Sequence, residues 1–161
     1  MTRLDIQITP YTPSLRTGLW DLLLSVTSKT HNNVSEKQIG LAEKLLRSAT
    51  SPNTSITVAL YQDQIVAYAE EHPLTGHRRV HLHRMATHRN FRNRMIFTQL
   101  LEAVISDTST HMEADINQER DHYKTMQRFG FVPDNRPSRE PGMIAIVRPA
   151  RTNIARFFIG K

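Results

Sequence analysis

The stretch that decides the fold is LHRMATHRNFRNRMIFTQLL, residues 82–101. It begins as a strand, passes through a basic loop and continues with apolar residues three or four apart, which predicts an amphipathic helix. A strand that turns into a helix leaves unpaired N–H groups at the helix N-terminus, where the helix dipole also favours negative charge. This junction is therefore a candidate anion-binding site.

Hydrophobic spacing predicts the elements that precede this stretch. Alternation over residues 4–8 predicts a short strand, and two amphipathic helices follow, the second capped by Ser35 with Gln38 three residues later. Alternation on both sides of Gln62-Asp63 predicts a β-hairpin. A further strand at 80–85 would complete an antiparallel meander.

The same spacing rules apply after the loop. The predicted elements are a helix at 91–105, a strand at 112–116, a helix at 121–129 and a strand at 143–147. Gly130 would end the second of these helices, and a Pro-rich loop at 133–141 would follow. The order predicts an α/β domain of the α+β type at residues 1–148, with a mixed, mostly antiparallel sheet flanked by helices. The tail at 149–161 could pack on the domain or on a partner.

Composition narrows the possible functions. A chain of 161 residues fits one domain, and the absence of cysteine excludes disulfides, thiolate zinc sites and cysteine nucleophiles. Because no apolar run approaches the roughly 18 residues that span a bilayer, we expect a cytoplasmic protein without membrane association. Lys and Arg number 21 against 15 Asp and Glu, a formal charge of +6 that favours anionic partners.

The stretch at 82–101 resembles the acetyl-coenzyme A motif of the GNAT family of N-acetyltransferases. There, a strand ending in a Leu-x-Val-like element runs through His-Pro-x-Tyr-Arg-Gly-x-Gly-Ile-Gly into a helix with paired leucines. The matching residues here are Met85, Thr87, Phe91-Arg92, Ile96 and Leu100-Leu101. A second family element, a strand with an asparagine and a helix closing in Gly-Phe, is similar to residues 112–117 and 128–131. The resemblance spans roughly residues 55–148 and implies the GNAT-like acyl-CoA N-acyltransferase fold.

The resemblance implies acetyl-coenzyme A as the cofactor. The backbone at 92–97 would cradle its pyrophosphate, arginine side chains would add charge, and a backbone N–H at 85–87 would meet the thioester carbonyl. Asn117 would either bond the pantetheine arm or form an Asx turn or helix cap. The implied cofactor-binding residues are Met85, Ala86, Thr87, Arg89, Arg92, Asn93, Arg94, Met95, Ile96, Phe97 and Asn117.

Acetyl transfer to an amine needs a base for the ammonium and an acid for the departing thiolate. His83 lies on the strand where the family often has a glutamate base; otherwise it is a partly exposed strand histidine. The family's tyrosine acid stands four residues before the glycine, where this chain has Met126. Tyr123, one turn earlier, is the candidate acid, with a core or rim aromatic as its alternative role.

The loop departs from the family at three glycine positions, which fall at Asn93, Met95 and Phe97. Two functions therefore stay open. The first is an N-acetyltransferase that acts on an amine of a small molecule or a protein. The second is a non-catalytic GNAT-like interaction protein. Because glycine-poor loops resemble acetyltransferase-like proteins of tailed phages, the second would be phage-encoded and virion-associated.

Residues 77–94 contain arginines and histidines but no acid, which predicts a positive patch suited to coenzyme A phosphates. The same charges would serve RNA, DNA or an acidic protein face. Without interleaved exposed aromatics, we do not expect sequence-specific recognition of nucleic acid. His81 and His83 flank one strand position, but no further paired ligand is visible in the sequence, so we expect no metal site.

Overall fold

The computed structural model describes residues 4–27, 35–74, 79–92, 94–106, 110–119 and 121–150. Within them, one mixed sheet has helices on both faces. Its strands are β1 (Gln7–Pro10), β2 (Ser55–Tyr61), β3 (Gln64–Pro73), β4 (Arg79–Thr87), β5 (His111–Ile116), β6 (Val132–Pro133) and β7 (Ile144–Arg148). The helices are α1 (Arg16–Thr27), α2 (Glu36–Ala49), α3 (Ile96–Val104) and α4 (Asp121–Arg128), with 3-10 turns at Pro13–Leu15 and Arg89–Phe91.

The strand order in the sheet is β1-β2-β3-β4-β5-β7-β6. The strands β2, β3 and β4 pair antiparallel in succession, as the predicted meander requires. β4 and β5 are parallel, and β5 and β7 are antiparallel. The predicted mixed, mostly antiparallel sheet is therefore confirmed.

Two apolar clusters hold the helices against opposite faces of the sheet. α1 and α2 cover the face that presents Ile56, Val58 and Tyr68. α3 and α4 cover the face that presents Ala59 and Ala69. Val58 and Ala59 are neighbours in one strand, and their side chains point to opposite faces because a strand alternates with a period of two.

Several local predictions are confirmed. The Ser35–Gln38 capping box begins α2, with Ser35 N–H donating to Gln38 Oε1 at 2.8 Å and Gln38 N–H donating to Ser35 Oγ at 3.4 Å. Gly130 ends α4 with a φ of 87°, a left-handed conformation that a residue with a Cβ adopts at a cost. Phe131 N–H then donates to Met126 O at 3.1 Å and closes the end of the helix.

Other boundaries differ from the predictions. The helix predicted from Phe91 begins at Ile96, because a 3-10 turn and the left-handed Met95 come first. The first strand is Gln7–Pro10 instead of 4–8, although Leu4 still packs partly against the core. β6 forms at Val132–Pro133, where no strand is predicted, and its second residue is the first of the predicted loop at 133–141.

Parts of two predictions lie outside the described residues. These are positions 75 and 76 of the turn after β3, and the tail from residue 151 onward. None of the described helices has the length and apolar character that crossing a membrane requires.

Candidate active site

The loop that joins β4 to α3 is the predicted anion-binding junction. β4 ends at Thr87, and α3 begins at Ile96. The first backbone bond of α3 runs from Gln99 N–H to Met95 O at 3.0 Å. The amides of residues 96–98 precede that bond. Helix geometry leaves such groups available for a ligand, so this end of α3 suits a phosphate.

Met95 occupies one of the positions where the family has glycine. Its φ is 59°, in the left-handed region, and its side chain is 37 % exposed. For an L-residue this conformation costs about 1–2 kcal/mol, which glycine avoids. The backbone therefore takes the turn that glycine would favour, with a methionine side chain that is not buried in the core. Asn93, at another glycine position, lies outside the described residues.

Phe97, at the third glycine position, makes an aromatic contact with the neighbouring helix. Its ring stacks on His122 of α4, with 4.2 Å between the ring centroids and 10° between the ring planes. Phe97 also packs partly against the core cluster under α3. The first turns of α3 and α4 are thereby joined beside the amides of residues 96–98.

The arginines of the loop surround the start of α3. Arg92 and Arg94 are exposed, and Arg89 is half-buried. The Arg94 guanidinium carbon lies 5.8 Å from the centroid of the Phe91 ring, within cation–π range. These side chains place positive charge where a phosphorylated ligand would meet the helix.

β4 and β5 separate beside this loop. Their ladder runs from the Arg79–His111 pair to the Leu82–Ala114 pair. Residues 85–87 continue to pair with β3 on their other side, at Ala69 to Ala67. Among the described strands, nothing pairs with the β5-facing edge of residues 85–87. Backbone groups at the predicted thioester position are therefore open on that side.

Asn117 follows β5 directly, at the edge of the opening between the strands. Its Oδ1 accepts a hydrogen bond from Glu119 N–H at 2.9 Å, which is an Asx turn. The Asx turn is one of the two roles predicted for this side chain, the other being a bond to the pantetheine arm. The amide nitrogen of Asn117 is a separate donor and is compatible with the other role.

On α4, the two candidate positions for the acid differ in burial. Met126, where the family has tyrosine, is only 3 % exposed and belongs to the core cluster. Tyr123 is half-buried and packs partly against the same cluster. Tyr123 is thus the tyrosine of α4 on this side of the sheet, and its role as the acid stays a prediction.

His83 lies at a bulge in β4. Glu70 pairs with Arg84, but the next residue of β3, Glu71, pairs with Leu82, so His83 is the extra residue. Its ring lies 4.7 Å from the His72 ring and 5.7 Å from the His81 ring, between centroids. Burial, followed by the charge of Arg84, lowers the pKa of His83 below its ordinary value. His83 is therefore neutral at neutral pH, as a proton acceptor must be.

A buried carboxylate supports this histidine group. Glu70 on β3 is fully buried, and its Oε1 lies 2.8 Å from His72 Nε2 and accepts from Ser48 Oγ at 3.2 Å. Arg84 Nη1 donates to Glu70 Oε2 at 3.3 Å. Glu70 and His72 are not among the residues that the sequence predicts for the site. Their spacing of two along a strand was a signal, because it places both side chains on one face.

A second ionic cluster lies on β5. Glu113 is 2 % exposed, and its carboxylate contacts the guanidinium groups of Arg79, Arg136 and Arg139. Burial alone would raise the pKa of Glu113, but the Arg79 hydrogen bond and the other guanidinium charges hold it below its usual range. This cluster is not predicted from the sequence, because its arginines come from β4 and from the loop after β6.

Asp115 lies two residues further along β5 and is 3 % exposed. It accepts from Arg136 Nη1 at 3.4 Å and lies 3.8 Å from His81 Nε2. Burial, followed by the charge of Arg139, lowers the pKa of His81 to about 4. His81 is therefore a buried neutral histidine at neutral pH.

The predicted positive patch at 77–94 is smaller than the sequence suggested. Arg79 pairs with Glu113 and Arg84 with Glu70, so buried carboxylates from neighbouring strands offset two of its charges. His81 is neutral, and residues 77 and 78 lie outside the described residues. Among the residues of this patch that the structure describes, the remaining arginine charge belongs to the loop before α3.

Residues 24–148 match the family described as the acetyltransferase (GNAT) domain. No curated protein matches the chain in sequence.

Three solved structures have the same fold. A PaiA N-acetyltransferase from Thermoplasma acidophilum, in complex with coenzyme A, has a TM-score of 0.65 and 14% identity, covering 91% of this chain and 99% of that one. The ribosomal-protein-S18-alanine N-acetyltransferase from Escherichia coli has a TM-score of 0.69 and 11% identity, covering 96% and 100%. A histone acetyltransferase HPA2 and related acetyltransferase from Corynebacterium glutamicum has a TM-score of 0.71 and 18% identity, covering 94% and 99%. The predicted fold is confirmed.

Proposed function

The chain belongs to the GNAT family of acetyltransferases, and from that premise we propose that it transfers the acetyl group of acetyl-coenzyme A to an amine of a small molecule or a protein. The observation that supports this best is the form of the loop before α3. Met95 is left-handed there although it is not glycine, and the amides of residues 96–98 precede the first helical bond. Strained backbone of this kind is concentrated at ligand-binding and catalytic sites, where the surrounding structure holds it in place.

The residues present fit acetyl-coenzyme A. The amides at 96–98 and the guanidinium groups of Arg89, Arg92 and Arg94 would hold the pyrophosphate. The open edge of β4 at residues 85–87 would receive the pantetheine arm and offer a backbone N–H to the thioester carbonyl. When bound, the cofactor supplies an acetyl group on a good leaving thiolate.

Two side chains of the protein would accept and donate the protons of the reaction. His83, neutral at neutral pH, would accept the proton that the attacking amine loses. The ion pair between Arg84 and the buried Glu70 joins β4 to β3 next to the bulge, beside His83, and would help to position the His83 ring. Tyr123 would give a proton to the departing thiolate. His83 would gain one proton and Tyr123 would lose one, so the number of protons on the protein stays the same, and proton exchange with water would return both groups to their starting forms.

Titration calorimetry with acetyl-coenzyme A and plain coenzyme A tests the binding half of this proposal. We expect saturable binding of one equivalent, about tenfold weaker for Arg92→Ala because a charge-assisted hydrogen bond is lost. Arg47→Ala, an exposed arginine on α2, is the matched control and should bind like the wild type. The absence of heat at millimolar ligand would remove the proposal.

A transfer assay over a panel of amines tests the chemical half. Release of free thiol that depends on the amine, and that falls at least about a hundredfold in His83→Ala, would support acetyl transfer with His83 as base. Release that is unchanged in His83→Ala would assign the base elsewhere.

A second function is supported by the contacts of Phe97 and Met126. The Phe97–His122 stack joins α3 to α4 beside the loop, and Met126 is in the core instead of a tyrosine at the site. A non-catalytic interaction protein with this fold would show no acetyl transfer. Deleting residues 150–161 should then abolish its assembly with a partner, and an intact complex would count against this function. Phage origin and virion association stay predictions.

A further inference from the structure

We propose that Glu70, His72 and His83 form a binding site for a divalent transition-metal ion of the zinc class. The three residues come from the neighbouring strands β3 and β4, and one potential ligand atom from each lies within 4.8 Å of the other two. The sequence offered only His81 and His83 as a pair. The fold supplies the missing ligands from β3.

The donor set fits this class of ion. Two imidazole nitrogens and one carboxylate oxygen are a known set of protein ligands for zinc, with one coordination position left for water or another ligand. Ions such as calcium and magnesium prefer oxygen ligands throughout, so two histidines select against them. We therefore expect zinc, cobalt or nickel to bind and magnesium not to bind.

The carboxylate is already oriented for this role. Arg84 Nη1 donates a hydrogen bond to Glu70 Oε2 at 3.3 Å, and Glu70 Oε1 lies 2.8 Å from His72 Nε2. Ligating carboxylates in metalloproteins are fixed by such outer hydrogen bonds. The nearby guanidinium charge opposes a second cation, so the ion should exchange readily instead of staying as a permanent structural metal.

The same contacts explain how the site is stable without metal. In that state, the hydrogen bond between His72 and the buried Glu70 satisfies both groups. The metal would take the place of this hydrogen bond between the two side chains and recruit the His83 ring, 4.7 Å from the His72 ring. The His72 side chain is 35% exposed, which gives an ion access from solvent.

Metal binding has a consequence that rests on the proposed function. A nitrogen of His83 that binds an ion cannot accept a proton from an amine. Zinc should therefore inhibit acetyl transfer reversibly, with activity restored by a chelator. The site itself does not depend on acetyl transfer, since ion binding can be measured with no acetyl-coenzyme A present.

The test is calorimetric titration of the tag-free, chelator-treated full chain with zinc chloride. We expect one equivalent to bind, with affinity at least about tenfold weaker in His72→Ala and in His83→Ala. His111→Ala is the matched control. That histidine is 33% exposed and lies 3.6 Å from Glu113, so it has a similar setting outside the cluster. Its substitution should leave zinc binding unchanged.

Absence of zinc binding in the wild type, or equal losses in His111→Ala and the two cluster variants, would overturn the proposal. If a variant does not fold, histidine-ring NMR of the wild type decides. Zinc should shift the ring signals of His72 and His83 and leave those of His111 in place. Movement of the His111 signals alone would contradict the assignment.

Discussion

The two faces of the sheet at β4 and β5 differ sharply although the same strands build both. On one face, Leu82, Met112 and Ala114 pack into the apolar core under α3. On the other, His81, Glu113 and neighbouring charged residues form ion pairs and a histidine group. The difference shows how one strand serves packing and chemistry at once, because successive side chains alternate between the faces.

Removing a large side chain from the apolar face should have the largest effect on stability. Phe131 is 1% exposed in this core, so Phe131→Ala should lower the free energy of unfolding by about 3–5 kcal/mol. Its neighbour Val132 is 49% exposed, and Val132→Ala should change stability by less than about 0.5 kcal/mol. Urea unfolding measures both, and equal losses would show that this face is not the stability core.

The charged face should also contribute to stability, but less. Glu113→Gln removes the charge that three arginines share, and we expect a loss of about 1–3 kcal/mol. Two of those arginines are nearly half exposed, so water offsets part of the lost attraction. Glu43→Gln, an exposed glutamate on α2, is the control. A neutral or stabilising result for Glu113→Gln would show that these ion pairs make no net contribution to the free energy of unfolding.

Acid should weaken the charged face before the apolar one. The folded-state pKa of Glu113 is below its unfolded value of 4.5, so its contribution is present above pH 4.5 and is lost as pH falls through the folded-state pKa. Urea unfolding at a series of pH values should therefore give a steeper fall below pH 4.5 for the wild type than for Glu113→Gln. Parallel curves would contradict this.

The smallest expected effect on stability concerns the loop between β4 and α3. Met95→Gly should raise the free energy of unfolding by about 0.5–1 kcal/mol, because glycine adopts a φ of 59° without the steric cost. Met95→Ala, which keeps a Cβ, should show no such gain. The glycine variant should also bind acetyl-coenzyme A more tightly. A loss of stability in Met95→Gly would show that the methionine side chain makes contacts that outweigh the strain.

The strands and helices themselves were predictable because their signal is local. Alternation and helical spacing predicted the hairpin at Gln62-Asp63, the capping box of Ser35 and the end of α4 at Gly130. The start of α3 was not predictable, because apolar spacing continues back to Phe91 while the backbone turns at Met95.

The charged face was largely unpredictable because its signal is not local. Glu113 meets Arg79 and Arg139 only after the sheet and the following loop have formed. His83 could be proposed from its place in the motif. Its partners Glu70 and His72 depend on the register of β3 against β4 and on the bulge between them. Single-sequence patterns do not encode such a register.

The central claim is that a loop without the usual glycines still binds acetyl-coenzyme A at the start of α3. Amide NMR during titration with acetyl-coenzyme A tests it most directly. We predict saturable shifts of the Ile96, Phe97 and Thr98 amides, with the amides of Glu43 and Arg47 on α2, which packs on the opposite face of the sheet, unchanged. Amides at 96–98 that stay unmoved at millimolar ligand would contradict the account.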